Sequence, residues 1–117
     1  MTKIQWKNRI KKACEKAGTY QEFFDETIIT LAAILEKRDD VEEEYKNSGE
    51  QPIIEYTNKS GAVNRIKNPA LTLWSELNRD ALAYWRDLGL TPAGYKKLNE
   101  KQTTGGGFEG LIKGLGG

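Results

Sequence analysis

The sequence predicts a mainly α-helical fold of about four helices carrying one β-hairpin. Three observations lead to it. Apolar residues recur at helical spacing in three long stretches, and between residues 51 and 68 the pattern changes to short, partly β-branched runs. Glycine or proline marks each change. With 117 residues the chain is long enough for one small domain. That domain is expected at residues 1–100, with the hairpin near 52–67, followed by a Gly-rich tail at 101–117.

Each element has its own signal. Residues 3–17 (KIQWKNRIKKACEKA) place Ile4, Trp6, Ile10, Ala13, Cys14 and Ala17 at helical spacing, with the basic residues largely between them. Gly18 ends this helix. Thr19 and Glu22 of TYQE have the spacing of a capping box and are expected to open the second helix. Its stripe is Phe24, Ile28, Leu31 and Leu35, widened by Phe23, Ile34 and Val41, and it runs to Tyr45–Asn47 before Ser48–Gly49. PIIEYT and AVNRIK flank NKSG, which reads as a hairpin. A two-stranded hairpin is marginal alone in water, so this one should lean on a helix or on another subunit. Asn68–Pro69 opens a third helix with Asn as N-cap and Pro in the first turn. Leu71, Trp74, Leu77, Ala81, Leu82, Trp85 and Leu88 give it a wide apolar face, either core or subunit interface. RDLGLTPAG (residues 86–94) then closes one helix at Gly89 and opens a fourth at Thr91–Pro92, running to about Glu100. The tail has seven glycines in its last thirteen residues, a composition that favours flexibility. Its FEGLIKGL segment is apolar, and either docks on a partner or stays disordered.

The net charge of +1 conceals a segregation. Residues 1–18 hold six basic side chains against Glu15, a net +5. Residues 19–50 hold ten acids against Lys37, Arg38 and Lys46, a net −7. Such separation points to partners or neighbouring copies. In RDDVEEE (residues 38–44) the acids occupy consecutive helical positions and fan around the axis, so they do not converge as metal ligands. They form like-charge i,i+4 pairs near a helix C-terminus, which a basic partner would relieve. The first helix supplies such a partner, within the chain or between copies. Otherwise the acids are a solvated face.

Several chemistries are excluded or disfavoured. There is no histidine, and the single Cys14 permits neither an intrachain disulfide nor a multi-cysteine zinc site. Cys14 is expected to be a half-buried apolar residue, and its solitude fits an intracellular protein. No phosphate-binding GxxxxGK[ST] loop is present, so no nucleotide hydrolysis is expected. The longest apolar run, IITLAAIL, is too short for a membrane span, and the basic N-terminus lacks the apolar segment of a signal peptide. The remaining candidate chemistry is electrostatic. Lys7, Arg9, Lys11, Lys12 and Lys16 on one helix can meet a phosphate backbone, or simply solvate a surface helix; Arg65 and Lys67 on the hairpin are a second basic site. No clear helix-turn-helix accompanies them.

The order and spacing of KNPALTLWSELNRDALAYWRDLGLTPAG (residues 67–94) and WKNRIKKACEKAGTYQEFFDETIITLAAILEKRD (residues 6–39) resemble tailed-phage terminase small subunits. This broad family is found in many phages and prophages of Gram-positive bacteria. The resemblance implies a non-enzymatic DNA-packaging factor without a cofactor, acting in the cytoplasm of the bacterial host and not at a membrane. It implies a homo-oligomeric ring that binds double-stranded viral DNA and recruits and regulates the large terminase subunit, an ATPase and nuclease. Within that picture Leu71, Trp74, Leu77, Leu82, Trp85 and Leu88 serve core or oligomer interface, and Phe108, Leu111, Ile112 and Leu115 dock on the large subunit. A dimeric DNA-binding regulator and a structural assembly protein without DNA contact are the alternatives.

Overall fold

The computed structural model describes residues 1–102, and the side chains of residues 1–100. Among these residues are four helices, α1 (Lys3–Ala17), α2 (Asp25–Asn47), α3 (Pro69–Asp87) and α4 (Pro92–Gln102). One antiparallel hairpin, β1 (Ile53–Thr57) and β2 (Val63–Lys67), lies between α2 and α3. The fold is mainly helical with a single hairpin, as expected.

α1 opens with a reciprocal cap, in which Thr2 Oγ1 accepts from the Gln5 N–H and Gln5 Oε1 accepts from the Thr2 N–H. At its other end Gly18 turns left-handed (φ 73°), and the Thr19 N–H donates to the Cys14 carbonyl at 2.9 Å. That bond overturns the expected capping box at TYQE. Thr19 is committed to finishing α1, its hydroxyl reaching the same Cys14 carbonyl, and it is buried. The chain then makes a 3-10 turn at Glu22–Phe24 before α2 begins. The turn rotates Phe23 outward, so that this expected stripe residue is 77% exposed while Phe24 packs against the core.

The core gathers Ile10 and Cys14 of α1, Ile28, Leu31, Ala32 and Leu35 of α2, and Ala81 and Leu88 at the far end of α3. Burial of each large aliphatic side chain contributes about 1.5–3 kcal/mol. Trp6, Tyr20, Phe24, Ile34, Tyr84, Trp85 and Leu90 surround these residues. Two expectations for α1 are corrected. Ile4 is exposed, because the inward line runs through Trp6, Ile10 and Cys14 at four-residue spacing. Cys14 is fully buried, not half-buried, and desolvation pushes its thiol above the ordinary range.

A polar junction fastens the three helices beside this core. Asp39 Oδ2 accepts from the Trp6 indole Nε1 (2.7 Å) and from the Met1 amino group (3.2 Å), while Oδ1 accepts from Arg38 Nη2 (3.1 Å). Arg38 Nη1 continues to Asn78 Oδ1 on α3 (3.2 Å). The Lys3 N–H, one of the free donors at the start of α1, points at Glu36 Oε2 (2.6 Å). The basic helix thus does relieve part of the acidic stretch within the chain, through its N-terminus and its indole.

The α3–α4 corner follows its sequence signals closely. Gly89 adopts φ 73°, and the Gly89 and Leu90 N–H groups donate to the Arg86 and Trp85 carbonyls, closing α3. Thr91 Oγ1 accepts from the Gly94 N–H (3.0 Å), with Pro92 in the first turn of α4. A Cβ on Gly94 would collide with the backbone carbonyl of Arg86, so the two helices touch backbone to backbone. The hairpin is different. It is anchored only at its root, where Asn68 donates from its backbone N–H to the Pro52 carbonyl (2.8 Å) and from Nδ2 to the Gln51 carbonyl (2.9 Å). Asn68 Oδ1 meanwhile caps α3 at the Ala70 N–H.

Two outcomes test this packing. Gly94→Ala should destabilise by about 1–3 kcal/mol, because neither backbone can yield cheaply; an unchanged melting temperature would mean the helices do not cross there. Burial alone would raise the Asp39 pKa, but hydrogen bonds from Trp6, Arg38 and the amino terminus outweigh it and leave Asp39 below its ordinary 3.8. The stability this contributes is full above the ordinary value and is lost as pH falls through the lowered one. Asp39→Asn should therefore melt lower than wild type at neutral pH, with a gap that narrows in acid; a constant gap would contradict this account.

Candidate nucleic-acid interface

With its apolar line seated against α2 and α3, α1 turns its basic residues outward in two rows. Arg9, Lys12 and Lys16 share one row at spacings of three and four, and all three are exposed. Lys7 and Lys11 form the other and are half-buried. The two rows lie on opposite flanks of the exposed face, with Asn8 and Glu15 between them.

The rows differ in what they touch. Lys11 lies over the Tyr20 ring at 5.2 Å, and Tyr20 in turn donates its hydroxyl to Asp25 Oδ1 (2.8 Å). Interaction with Tyr20 raises the Lys11 pKa, so its ammonium is held charged but also held in place. Arg9 stacks over Trp6 at 5.5 Å, on a ring that also carries Arg38 at 5.4 Å. This leaves the Arg9 guanidinium ordered and its charge unneutralised. The salt bridges among the described residues are Met1–Asp39, Arg38–Asp39 and Lys96–Glu100. None of the six basic side chains of α1 takes part.

The second basic site is not brought to the first. Arg65 and Lys67 stand on the same face of the exposed hairpin, across the strands from Glu55 and Ile53. The hairpin leaves the end of α2 that extends beyond the N-terminus of α1. The α3 residues separate into two groups. Leu88 is buried and Trp85 packs on the core, while Leu71 and Leu77 are half-buried. Trp74 is 38% exposed and Leu82 is exposed as well. Phe108, Leu111, Ile112 and Leu115 lie outside the described residues.

Sequence reasoning missed the fixing of α1 by Trp6 and Asp39, which are 33 positions apart and carry no local signal of their pairing. It also missed Thr2 as the cap. The T-x-x-Q spacing at the start of α1 was the signal that could have found it.

Among the described residues no group of three or more acidic or cysteine side chains is arranged to hold a metal ion, and no helix is long and apolar enough to cross a membrane. The geometry offers a charged, rigid surface. Searches of curated proteins and of solved structures return no match. A family model described as phage terminase, small subunit, matches residues 2–104, spanning every element from α1 through α4. By that match the chain belongs to the phage terminase small-subunit family, and its role lies in phage DNA packaging.

Proposed function

We propose that this chain grips double-stranded viral DNA through the exposed row of α1, assembles into a ring, and passes the DNA to the large terminase subunit. The observation that carries the reading is the row Arg9, Lys12 and Lys16, unpaired among the described residues on a helix whose opposite side is locked to α2 and α3. Cations on a helix already fixed in the fold meet phosphates without a cost for ordering the backbone, and they release condensed counterions without reading bases. Lys7 and Lys11, one row away and half-buried, act as flanking charge. The work of this subunit is positioning; the ATPase and nuclease chemistry belongs to the large subunit.

The elbow at Gly89–Gly94 sets the direction in which α4 leaves the core. The apolar FEGLIKGL segment beyond it, with Phe108, Leu111, Ile112 and Leu115 at i, i+3, i+4 and i+7, suits a groove on the large subunit. The chain beyond α4 serves as the tether between the two subunits.

Two measurements test these roles. Replacing Arg9, Lys12 and Lys16 by Ala should flatten the dependence of log affinity on log salt by roughly 0.9 for each phosphate that is no longer neutralised. Lys37→Ala on α2 should leave the slope unchanged. An equal slope in the triple variant would place the DNA elsewhere. Deleting residues 105–117 should lower stimulation of the large-subunit ATPase while leaving the number of subunits unaltered, and undiminished stimulation would remove the docking role.

A further inference from the structure

The cleft between α2 and α3 is only half filled. Over Leu31, Leu35, Ala81 and Leu88 it is covered by α1. α1 stops at the Thr2 cap and the Trp6–Asp39 junction, and Arg38 crosses to Asn78 at the same level. One turn farther the cleft continues, empty, for ≈ 200 Å³ between Glu42, Tyr45, Ala70, Leu71 and Trp74. This is why Trp74 is exposed although its helical position puts it on the side of α3 that faces α2: α1 does not extend far enough to cover it.

The same chain carries exposed apolar side chains on both faces of its hairpin. Only the root of the hairpin meets the helices, with Ile66 beside Leu71 and Ile54 beside Val41 and Leu73. Farther out Tyr56 is 52% and Val63 59% exposed, and an isolated two-stranded ribbon is marginal in water. No residue of the hairpin lines the cleft of its own chain. The hairpin of a second copy is free to enter it. Charge favours the pairing as well. The hairpin carries Lys59, Arg65 and Lys67 against Glu55, while Glu42 lines the cleft and Glu43 and Glu44 follow it. None of these acids is in a salt bridge among the described residues.

We infer that the outer half of the hairpin of one copy seats in the open end of the α2–α3 cleft of the next. Val63 covers Leu71 and Trp74, and Arg65, on the same face of the ribbon, reaches Glu42 at the cleft wall; Tyr56 lies on the opposite face. The two surfaces are different patches of one chain, so the contact is head to tail and repeats from copy to copy. This rests on the self-assembly part of the proposed function and gives that assembly its contact. It also assigns Arg65 to a neighbouring subunit and not to DNA.

The test uses the full chain carrying Val63→Cys together with Ala70→Cys, oxidised with copper phenanthroline and run on a non-reducing gel. Cys14 is buried and does not compete. A ladder of covalent multimers is expected from the double variant and from neither single one. If native mass spectrometry shows an assembled oligomer but no ladder forms, the contact is wrong while self-assembly stands. If it shows monomer alone, self-assembly fails and this contact with it. Cross-linking from Ala70→Cys to Leu111→Cys in place of Val63→Cys would put the tail in the cleft and overturn the assignment. Val63→Asp, at an exposed position, should shift the native mass to monomer with an unchanged helical circular dichroism spectrum. A wild-type mass for that variant would equally overturn it.

Discussion

The rest of the molecule depends on how α1 lies in the cleft between α2 and the far end of α3. Ile10 and Cys14 are the only fully buried side chains that α1 contributes, and together with Trp6 they determine which way every charge on that helix faces. A small core of this kind does not tolerate rotation of the helix. Turning α1 by one residue position would put Arg9 or Lys11 in the place of Ile10, a cation where no partner exists. The apolar line and the basic rows are therefore a single constraint seen from two sides. The Asp39 junction strengthens it by fixing the helix along its axis, since an indole N–H reaches a carboxylate in only one register.

Charge segregation along the chain acquires a physical meaning from this arrangement. The start of α1 meets Glu36 and Asp39 through backbone N–H groups, the amino terminus and an indole, not through lysine side chains. Part of the acidic excess on α2 is thereby compensated without drawing on the cations that face outward. The strongly basic helix stays basic although it packs against the most acidic element of the fold. That separation allows one chain to present a positive face to phosphates and a negative rim elsewhere.

Much of the architecture is legible in the residues, because helices and turns are written locally. Gly18, Asn68–Pro69 and the Leu-Gly-Leu-Thr-Pro corner each mark a real boundary, and the NKSG hairpin forms as its flanking runs suggest. Sequence reasoning fails where a local pattern has two possible owners. Thr19 has the spacing of a helix opener, but its N–H is already taken by the helix before it. Periodicity identifies the inward side of α3 correctly at Ala81 and Leu88, yet says nothing of how far the covering helix extends, so the exposure of Trp74 is invisible to it. The identity of the basic residues is plain, while which of them rest on aromatic rings, Arg9 on Trp6 and Lys11 on Tyr20, depends on contacts that only the fold makes.

The close crossing of α3 and α4 carries a consequence for variation. Because Gly94 meets the Arg86 carbonyl directly, the angle between the helices is set by main chain and not by side-chain fit. Residues on the outward side of α4 and everything beyond it can then diverge without altering the direction in which they depart. A lineage adapting to a new partner could exchange its terminal segment wholesale, and a protein engineer could fuse a foreign one, as long as Gly89, Thr91 and Gly94 are kept.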